Sequence, residues 1–153
     1  MPHYVPELRK VNIKKHDGIN IAVLGNIGVI KGYNILKEIN SKIKKYKNTK
    51  VIVIGKTEKR LSHIKSTGAY NLNDLPSIME NNNIDIVFIP SIWPETFSYT
   101  TSEAMMMGLP VACFDMGAPA ERVKKYEKGF VIEKIDGAYA LKQLIGFVKE
   151  LKG

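Results

Sequence analysis

The chain contains 153 residues, of which 44% are hydrophobic and 25% charged, values that are ordinary for a single globular domain with its own core. The net charge of +8 suits an anionic ligand, but the lysines are scattered and no aromatic residues interleave with them, which argues against a nucleic-acid-binding protein. No apolar run approaches the ~20 residues that span a bilayer, the N-terminus lacks the apolar stretch of a secretory signal, and the single cysteine, Cys113, can form neither an internal disulfide nor a zinc site.

Apolar and amphipathic segments alternate from residue 19, after a polar, basic segment at 1–18 that is predicted to be a linker. Strands are predicted at 19–24, 51–54, 69–70, 84–89, 111–114 and 130–132. Helices are predicted at 31–46, 58–66, 73–81 with Asn73 as N-cap, 96–107, 118–126 and 137–151. Strands that are apolar on both faces and alternate with helices predict an α/β fold, a doubly wound, parallel six-stranded, Rossmann-like sheet over residues 19–153.

Several turns that follow the predicted strands carry glycine or polar residues. Gly25 and Gly55 end the first two strands, and Ser91 and Glu95 follow the fourth. In a parallel α/β sheet, ligands bind beyond the carboxyl ends of the strands. We therefore expect these turns to converge on one crevice.

The segment from Pro94 to Val111 is the most informative part of the sequence. Glu95 and Glu103 are eight positions apart, a spacing that brings them to nearly the same face of a helix. The unpaired amides at the start of such a helix attract anions. Two carboxylates beside an anion site suit a ligand with both phosphate groups and hydroxyls, such as a sugar nucleotide. The alternative is a surface helix in which Glu95 favours the dipole and Glu103 is solvated.

This segment resembles the donor-binding signature of the retaining, group 1 glycosyltransferases of GT-B architecture. That signature is an apolar strand and Pro-Ser, followed by Pro-Glu-x-Phe-small-x-x-x-x-Glu-Ala-Met-x-x-Gly-x-Pro-Val. The matching segments here are Ile86–Ser91 and Pro94–Val111. Matches at so many fixed offsets make the resemblance specific. It implies the C-terminal, donor-binding half of an enzyme that transfers a sugar from a nucleoside-diphosphate sugar to a glycan or lipid acceptor.

The turn after the first predicted strand reads Gly25-Asn26-Ile27-Gly28-Val29-Ile30-Lys31-Gly32. Its glycines would let a phosphate approach the backbone, and Lys31 could reach that phosphate from the helix start. On local evidence an equal alternative is that Gly25 and Gly28 only shape a turn and that Lys31 is solvent-exposed. The turn resembles the family's first donor loop, in which an arginine and a lysine contact the diphosphate. Lys31 matches that lysine, whereas Asn26 stands where arginine is common and removes one charge.

The resemblance implies a role for each matching residue. Glu95 would accept hydrogen bonds from the donor sugar and, with Lys31, would act in catalysis, while Glu103 would bind the ribose hydroxyls. The amides over residues 96–100 would bind sugar and phosphate, with Ser98 in place of a frequent glycine. The residues expected to bind the donor are Gly25, Asn26, Gly28, Lys31, Gly55, Lys56, Thr96, Phe97, Ser98, Tyr99, Thr100 and Glu103.

The resemblance also implies which substrates and partners the domain uses. The substrate would be a UDP- or GDP-sugar, the loops at 55–57 and 70–72 would enclose the base, and no metal or other cofactor is expected. The N-terminal acceptor domain would be missing, so the chain is expected to be an excised domain or a split subunit with little transfer activity alone. No nucleic-acid partner is expected. The location would be cytoplasmic, with peripheral association of the full enzyme with the inner membrane face as an open alternative.

Three other functions are alternatives at this point. A sugar-nucleotide epimerase of the same architecture is one, although the Pro-Glu-x-Phe signature argues against it. A degenerate domain that only binds the donor or serves as a scaffold is the second. A signalling receiver domain, the third, would need an acidic pair after the first strand, where Gly25 and Asn26 stand instead.

Overall fold

Six parallel strands form one sheet in the structure, a computed structural model that describes residues 7–94 and 98–153. The strands are β1 (Ile19–Ile27), β2 (Thr49–Thr57), β3 (Lys65–Ser66), β4 (Ile86–Ile89), β5 (Val111–Phe114) and β6 (Gly129–Ile132). Their order across the sheet is β3-β2-β1-β4-β5-β6, and each neighbouring pair is parallel. The predicted α/β fold with a parallel six-stranded sheet is therefore confirmed.

Helices cover both faces of the sheet. The α-helices of the described ranges are α1 (Tyr33–Lys42), α2 (Leu75–Asn81), α3 (Tyr99–Met106), α4 (Gly117–Lys125) and α5 (Gly137–Lys152). Alternate residues of β1 enter two separate cores: Ile21 and Val23 pack with α1 and α5, whereas Ala22 and Leu24 pack with α2, α3 and α4. The chain leaves β1 in one direction to β2 and β3 and in the other to β4, so the strand order reverses between β1 and β4. Crevices at such a reversal are the usual ligand sites of open α/β sheets.

The predicted elements between residues 58 and 81 are partly wrong. Residues 58–66 form no helix; Leu61 and Ile64 pair in an antiparallel bridge, and β3 follows at once. The strand predicted at 69–70 is absent, because that edge position is taken by β3. Asn73 lies in a 3-10 turn, Leu72–Asp74, and α2 begins at Leu75 without a side-chain cap. The helix predicted at 58–66 was suggested by the buried apolar residues Leu61 and Ile64, which are three positions apart. A helix and a tight bridge satisfy that spacing equally well.

The described part of the predicted linker, residues 7–18, has no helix or strand but lies against the domain. Leu8 is buried, and the amide of Val11 donates to the carbonyl of Met107 at 3.0 Å. Arg9 donates from both terminal nitrogens to the carboxylate of Glu80, each at 2.7 Å. These hydrogen bonds, with one from the Asn12 amide, lower the pKa of Glu80 to about 2. The segment is thus fastened to α2 and to the end of α3.

Cys113 lies in the middle of the hydrophobic core, on β5. Burial, with a smaller contribution from the nearby Asp115 carboxylate, raises the pKa of its thiol to about 12. A thiol with so high a pKa carries almost no thiolate at neutral pH, and a nucleophilic role is excluded. Cys113 is a core residue, as the sequence predicts.

Within residues 7–94 and 98–153, no helix has both the length and the apolar content that crossing a bilayer requires.

Candidate functional site

A cavity of about 230 Å³ opens at the carboxyl ends of β1 and β4, where the strand order reverses. Six of the residues predicted from the sequence line it, namely Gly25, Asn26, Lys31, Ser98, Tyr99 and Thr100. Ser91, at the end of β4, lines it as well. The predicted site residues Glu95, Thr96 and Phe97 lie outside the described residues.

Gly25 and Gly55 end β1 and β2 side by side, as partners in the parallel register. A β-carbon on Gly55, whose φ is +138°, would overlap the carbonyl oxygen of Gly25. A β-carbon on Gly25 would come 3.8 Å from the Thr100 methyl group at the start of α3. Glycine at position 55 therefore allows the ends of β1 and β2 to approach closely, whereas a β-carbon at position 25 would make only an ordinary contact with α3.

Three further predicted site residues, Gly28, Gly55 and Lys56, are not among the residues that line this cavity. Gly55 and Lys56 line a neighbouring cavity of about 770 Å³ beyond β2. Gly28 shapes the turn before α1, where its carbonyl accepts from the Tyr33 amide at 3.0 Å. Gly28 thus shapes a turn, and its predicted contact with phosphate stays a prediction.

Ser98 determines where the signature helix begins. Its backbone is extended (φ −131°, ψ 112°), and its hydroxyl accepts from the Thr101 amide at 3.2 Å and from the Thr101 hydroxyl at 2.8 Å. Helix α3 therefore starts at Tyr99, not at Thr96 as the sequence predicts. Because Ser98 is buried and its hydroxyl serves as the helix cap, the amides next to the cavity at this helix start are those of Tyr99 and Thr100.

Glu103 is a buried carboxylate. The residue is only 8% exposed, and its Oε1 has no hydrogen-bond partner among the described residues. Burial raises the pKa of Glu103 from 4.5 to about 6. The alternative of a solvated surface glutamate is therefore wrong. An unpaired buried carboxylate oxygen is costly, and hydroxyl donors from a ligand would satisfy it.

Tyr70 links Glu103 to the loop that was predicted to enclose the base. The pKa of Tyr70 is raised first by burial and then by the negative charge of Glu103. The Glu103 carboxylate therefore lies close enough to Tyr70 to disfavour ionisation of its phenol.

Arg122 is a site residue that the sequence analysis missed. From α4 its Nη1 donates to the carbonyl oxygen of Ser98 at 3.3 Å. That contact joins residues 24 positions apart, so no local pattern predicts it. The contact places the Arg122 guanidinium beside the residue that caps α3. Asp115, by contrast, pairs with Lys124 at 2.9 Å on the surface.

No group of three or more histidine, cysteine, aspartate or glutamate side chains within 7–94 and 98–153 is arranged to hold a metal ion. The cavity itself is lined by the start of α3 and by Lys31, groups suited to phosphate.

Several solved structures superpose on this chain. The C-terminal domain of a glycosyl transferase group 1 family protein, LpcC, from Francisella tularensis superposes with a TM-score of 0.67 and 22% identity, over 97% of this chain and 86% of that one. HepE from Anabaena, in complex with UDP-glucose, gives a TM-score of 0.70 and 19% identity, over 89% of this chain and 40% of that one. A glycosyltransferase from Rickettsia africae gives 0.68 and 23%, over 91% and 39%.

The chain thus spans about two-fifths of the length of the HepE and Rickettsia proteins. A comparison with curated protein sequences found no significant match. The sequence profile of the family "Glycosyl transferases group 1" matches residues 5–150, nearly the entire chain. The chain belongs to the group 1 family of glycosyl transferases.

Proposed function

We propose that this domain binds a nucleoside-diphosphate sugar for retaining transfer of the sugar to a glycan or lipid acceptor. The observation that carries the proposal is the buried carboxylate of Glu103, whose Oε1 lacks a protein partner among the described residues. Ribose hydroxyls would supply the missing donors. The structure of HepE in complex with UDP-glucose supports a donor of this class. The base in this proposal is uracil or guanine.

The cavity at β1 and β4 would hold the diphosphate. Tyr99, Thr100 and Lys31 line it. The amides of the first two and the ammonium group of Lys31 would stabilise the negative charge that develops on the leaving diphosphate. In retaining transfer the acceptor oxygen bonds to the anomeric carbon as the bond from that carbon to the phosphate oxygen breaks. The acceptor proton passes to the departing phosphate oxygen. The protein contributes positioning and charge, and the proposal includes no metal ion.

The acceptor-binding groups would come from an N-terminal domain. The HepE and Rickettsia proteins are more than twice as long as the part that this chain matches, which supports a second domain in the active enzyme. In that proposal the present domain binds the donor by itself and transfers little sugar without its partner domain. Peripheral association with the inner membrane face would then be a property of the complete cytoplasmic enzyme.

Separate roles for the two glutamates test the proposal. Glu103→Ala should weaken bare nucleoside diphosphate and complete sugar nucleotide by the same factor, because it removes a bond to ribose. Glu95→Ala should leave the bare diphosphate nearly unaffected and weaken only the sugar nucleotide, because the proposed partner of Glu95 is the donor sugar and not the ribose. Calorimetric titration of both variants with UDP, GDP and their sugars measures the two effects. Equal weakening of the bare diphosphate by both substitutions would reject the assignment, and no effect of either on any nucleotide would reject the transferase proposal.

Lys31→Ala should weaken nucleoside-diphosphate binding and make it less dependent on salt, because a charge-assisted bond to phosphate is lost. Titration at low and at moderate ionic strength gives both quantities. Lys37→Ala on the exposed face of α1 is the matched control, since it removes the same charge from a residue that does not line the cavity. An affinity for Lys31→Ala that equals that of Lys37→Ala at low salt would assign Lys31 to the solvated surface.

A further inference from the structure

A second cavity, of about 490 Å³, lies at the amino ends of the strands, the end of the sheet opposite the candidate donor cavity. It is bounded by residues that come just before β1, β4, β5 and β6 and by the last turn of α5. We call it the amino-end cavity. A strand rises about 3.3 Å per residue, so the stretch of β1 from Ile19 to Gly25 places the two cavities roughly 20 Å apart. The amino-end cavity is therefore separate from the donor site.

The lining of the amino-end cavity is strongly basic. It includes four lysines, Lys14, Lys15, Lys128 and Lys152, and a single carboxylate, that of Asp85. Lys14 and Lys15 are exposed, and within residues 7–94 and 98–153 neither of them forms a hydrogen bond or an ion pair. Such an excess of positive charge around one concave surface attracts anions.

The carboxylate of Asp85 is already used by the protein itself. Its Oδ2 accepts from the Asn20 amide at 2.8 Å, and its Oδ1 lies 3.0 Å from Nε2 of His16 and 3.4 Å from Nζ of Lys152. The Asp85 side chain is only 8% exposed. It therefore compensates the charge of one lysine and leaves that of the other three for a ligand.

Backbone carbonyls hold two of the ammonium groups in place. Lys128 Nζ donates to the Gly108 carbonyl at 2.9 Å, and Lys152 Nζ donates to the Gly18 carbonyl at 2.6 Å. An ammonium group has three N–H donors, so both lysines retain donors for a ligand. A phosphate group, with about 1.5–2 negative charges at neutral pH and three acceptor oxygens, can use several such donors together.

The amino-end cavity also has an apolar side. Val11, Ile13, Leu109 and Pro110 line it together with the lysines. An inorganic anion gains nothing from this surface, whereas the carbon portion of an organic anion can cover it and remove apolar area from water. The combination therefore suits a ligand that joins a phosphate group to an apolar portion.

Other occupants fit the amino-end cavity less well. The proposed acceptor domain has to meet the donor cavity, which lies at the opposite end of the sheet. A second copy of this chain has the same net charge of +8, so pairing through this surface would bring like charges together. None of the described residues that line the cavity is Phe, Tyr or Trp, the side chains on which nucleic-acid bases stack.

We infer that the amino-end cavity binds an organic phosphate, with the phosphate group on its lysines and the carbon portion against its apolar side. Two sources share this chemistry, a soluble phosphorylated compound and the headgroup of an anionic phospholipid. The inference does not depend on the donor assignment, because the two cavities have no lining residue in common.

Amide NMR spectra of the isotope-labelled 153-residue protein test the inference site by site. Phenyl phosphate should shift the amides of Gly108, Leu109 and Lys128 in a saturable manner. It should bind there several-fold more tightly than inorganic phosphate, because its ring covers the apolar side of the cavity. The amides of Gly25 and Thr100 report on the donor cavity in the same spectra, so the occupation of each site is measured separately.

Two double variants serve as a matched pair. Lys14→Ala with Lys128→Ala removes two charges from the cavity and should weaken phenyl phosphate about tenfold, because two charge-assisted contacts are lost. Lys125→Ala with Lys142→Ala removes two charges from exposed positions on α4 and α5 that do not line the cavity, and should leave the affinity nearly unchanged.

Sedimentation with vesicles distinguishes the two sources of phosphate. Vesicles of phosphatidylcholine with phosphatidylglycerol are compared with vesicles of phosphatidylcholine alone. Binding that requires phosphatidylglycerol, is displaced by phenyl phosphate and is lost in the cavity double variant would identify a lipid headgroup. Phenyl phosphate binding at the cavity amides without vesicle binding would identify a soluble organic phosphate.

Four results would overturn the inference. The first is an absence of both vesicle binding and any shift of the cavity amides with phenyl phosphate. The second is an equal loss of affinity in the two double variants, which would show only diffuse attraction by the net charge. The third is an equal affinity for phenyl phosphate and inorganic phosphate, which would reject an organic ligand. The fourth is vesicle binding that the cavity double variant does not weaken.

Discussion

Glu103→Gln is expected to stabilise the unliganded domain by up to about 2 kcal/mol at pH 7 while weakening nucleoside binding roughly ten- to hundredfold. The gain in stability has an electrostatic cause. Burial raises the pKa of Glu103 from 4.5 to about 6, so the folded domain at neutral pH holds a carboxylate that burial disfavours. Glutamine has the same shape without that charge. It also lacks the charged acceptor that ribose hydroxyls would use.

The pH dependence has a definite sign. Because the pKa of Glu103 is higher in the folded than in the unfolded chain, its protonation stabilises the fold below pH 4.5, and this contribution is lost as the pH rises through about 6. The stability difference between Glu103→Gln and the parent domain should therefore be near zero at pH 4 and reach its full value above pH 6. Nucleoside affinity should increase with pH while the stability of the parent domain decreases, since the carboxylate that binds ribose forms only as the pH rises.

Urea denaturation across this pH range measures the stability difference, and titration with uridine and guanosine measures affinity without the phosphate groups that themselves titrate near pH 6. Glu121→Gln, on the exposed face of α4, is the control and should change neither quantity. A parent domain as stable as Glu103→Gln throughout the range would show that the buried carboxylate carries no cost.

Gly55→Ala is expected to reduce the free energy of unfolding by about 3 kcal/mol or more, because backbone strain and overpacking act together. The backbone of Gly55 has φ +138°, a region that side chains rarely adopt, and the new methyl group would overlap the carbonyl oxygen of Gly25. That oxygen belongs to the backbone of β1 and cannot rotate away. Relief would require the ends of β1 and β2 to separate, which would also move Gly25 at the candidate donor cavity and reduce nucleotide affinity.

Gly68→Ala separates strain from overlap. Gly68 also has positive φ, +85°, but a β-carbon there meets nothing within 4 Å. The expected cost is therefore only that of the left-handed backbone, about 1–2 kcal/mol. Urea denaturation of both variants gives the comparison. Equal losses of unfolding free energy in the two variants would mean that overlap with the Gly25 carbonyl oxygen adds nothing to the cost of Gly55→Ala.

The parallel sheet could be predicted because its central strands are marked unambiguously. Every residue of Ile86–Ile89 and Val111–Phe114 is buried, so these segments are apolar without interruption, as strands covered on both faces must be. The segment around Leu61 and Ile64 has no such uninterrupted apolar run. Strand β3 has only two residues, which is too short to produce a recognisable sequence pattern. Its edge position leaves only one neighbouring strand to stabilise it.

Some residues of the candidate site could be placed from the sequence and others could not. The topology of a parallel sheet brings Gly25, Lys31 and Thr100 to one edge, so the sequence was enough to place them together. The burial of Glu103 and the reach of Arg122 to Ser98 depend on how α3 packs against its neighbours, and no local pattern encodes that packing. The start of α3 at Tyr99 was missed because threonine and serine occupy several consecutive positions there, and more than one of them could have been the cap.

The rate at which a reagent modifies Cys113, the single thiol of the chain, can measure how often the domain opens. Cys113 sits in the core on β5 with a pKa of about 12, so a thiol reagent can modify it only after the sheet has opened. When reclosing is faster than modification, the labelling rate measures the free energy of that opening directly, without denaturant. A nucleotide that binds only the folded form should slow the labelling by the factor one plus its concentration divided by its Kd. The rate at which one buried sulfur reacts would thus report ligand affinity for a domain whose own catalytic turnover is expected to be slight.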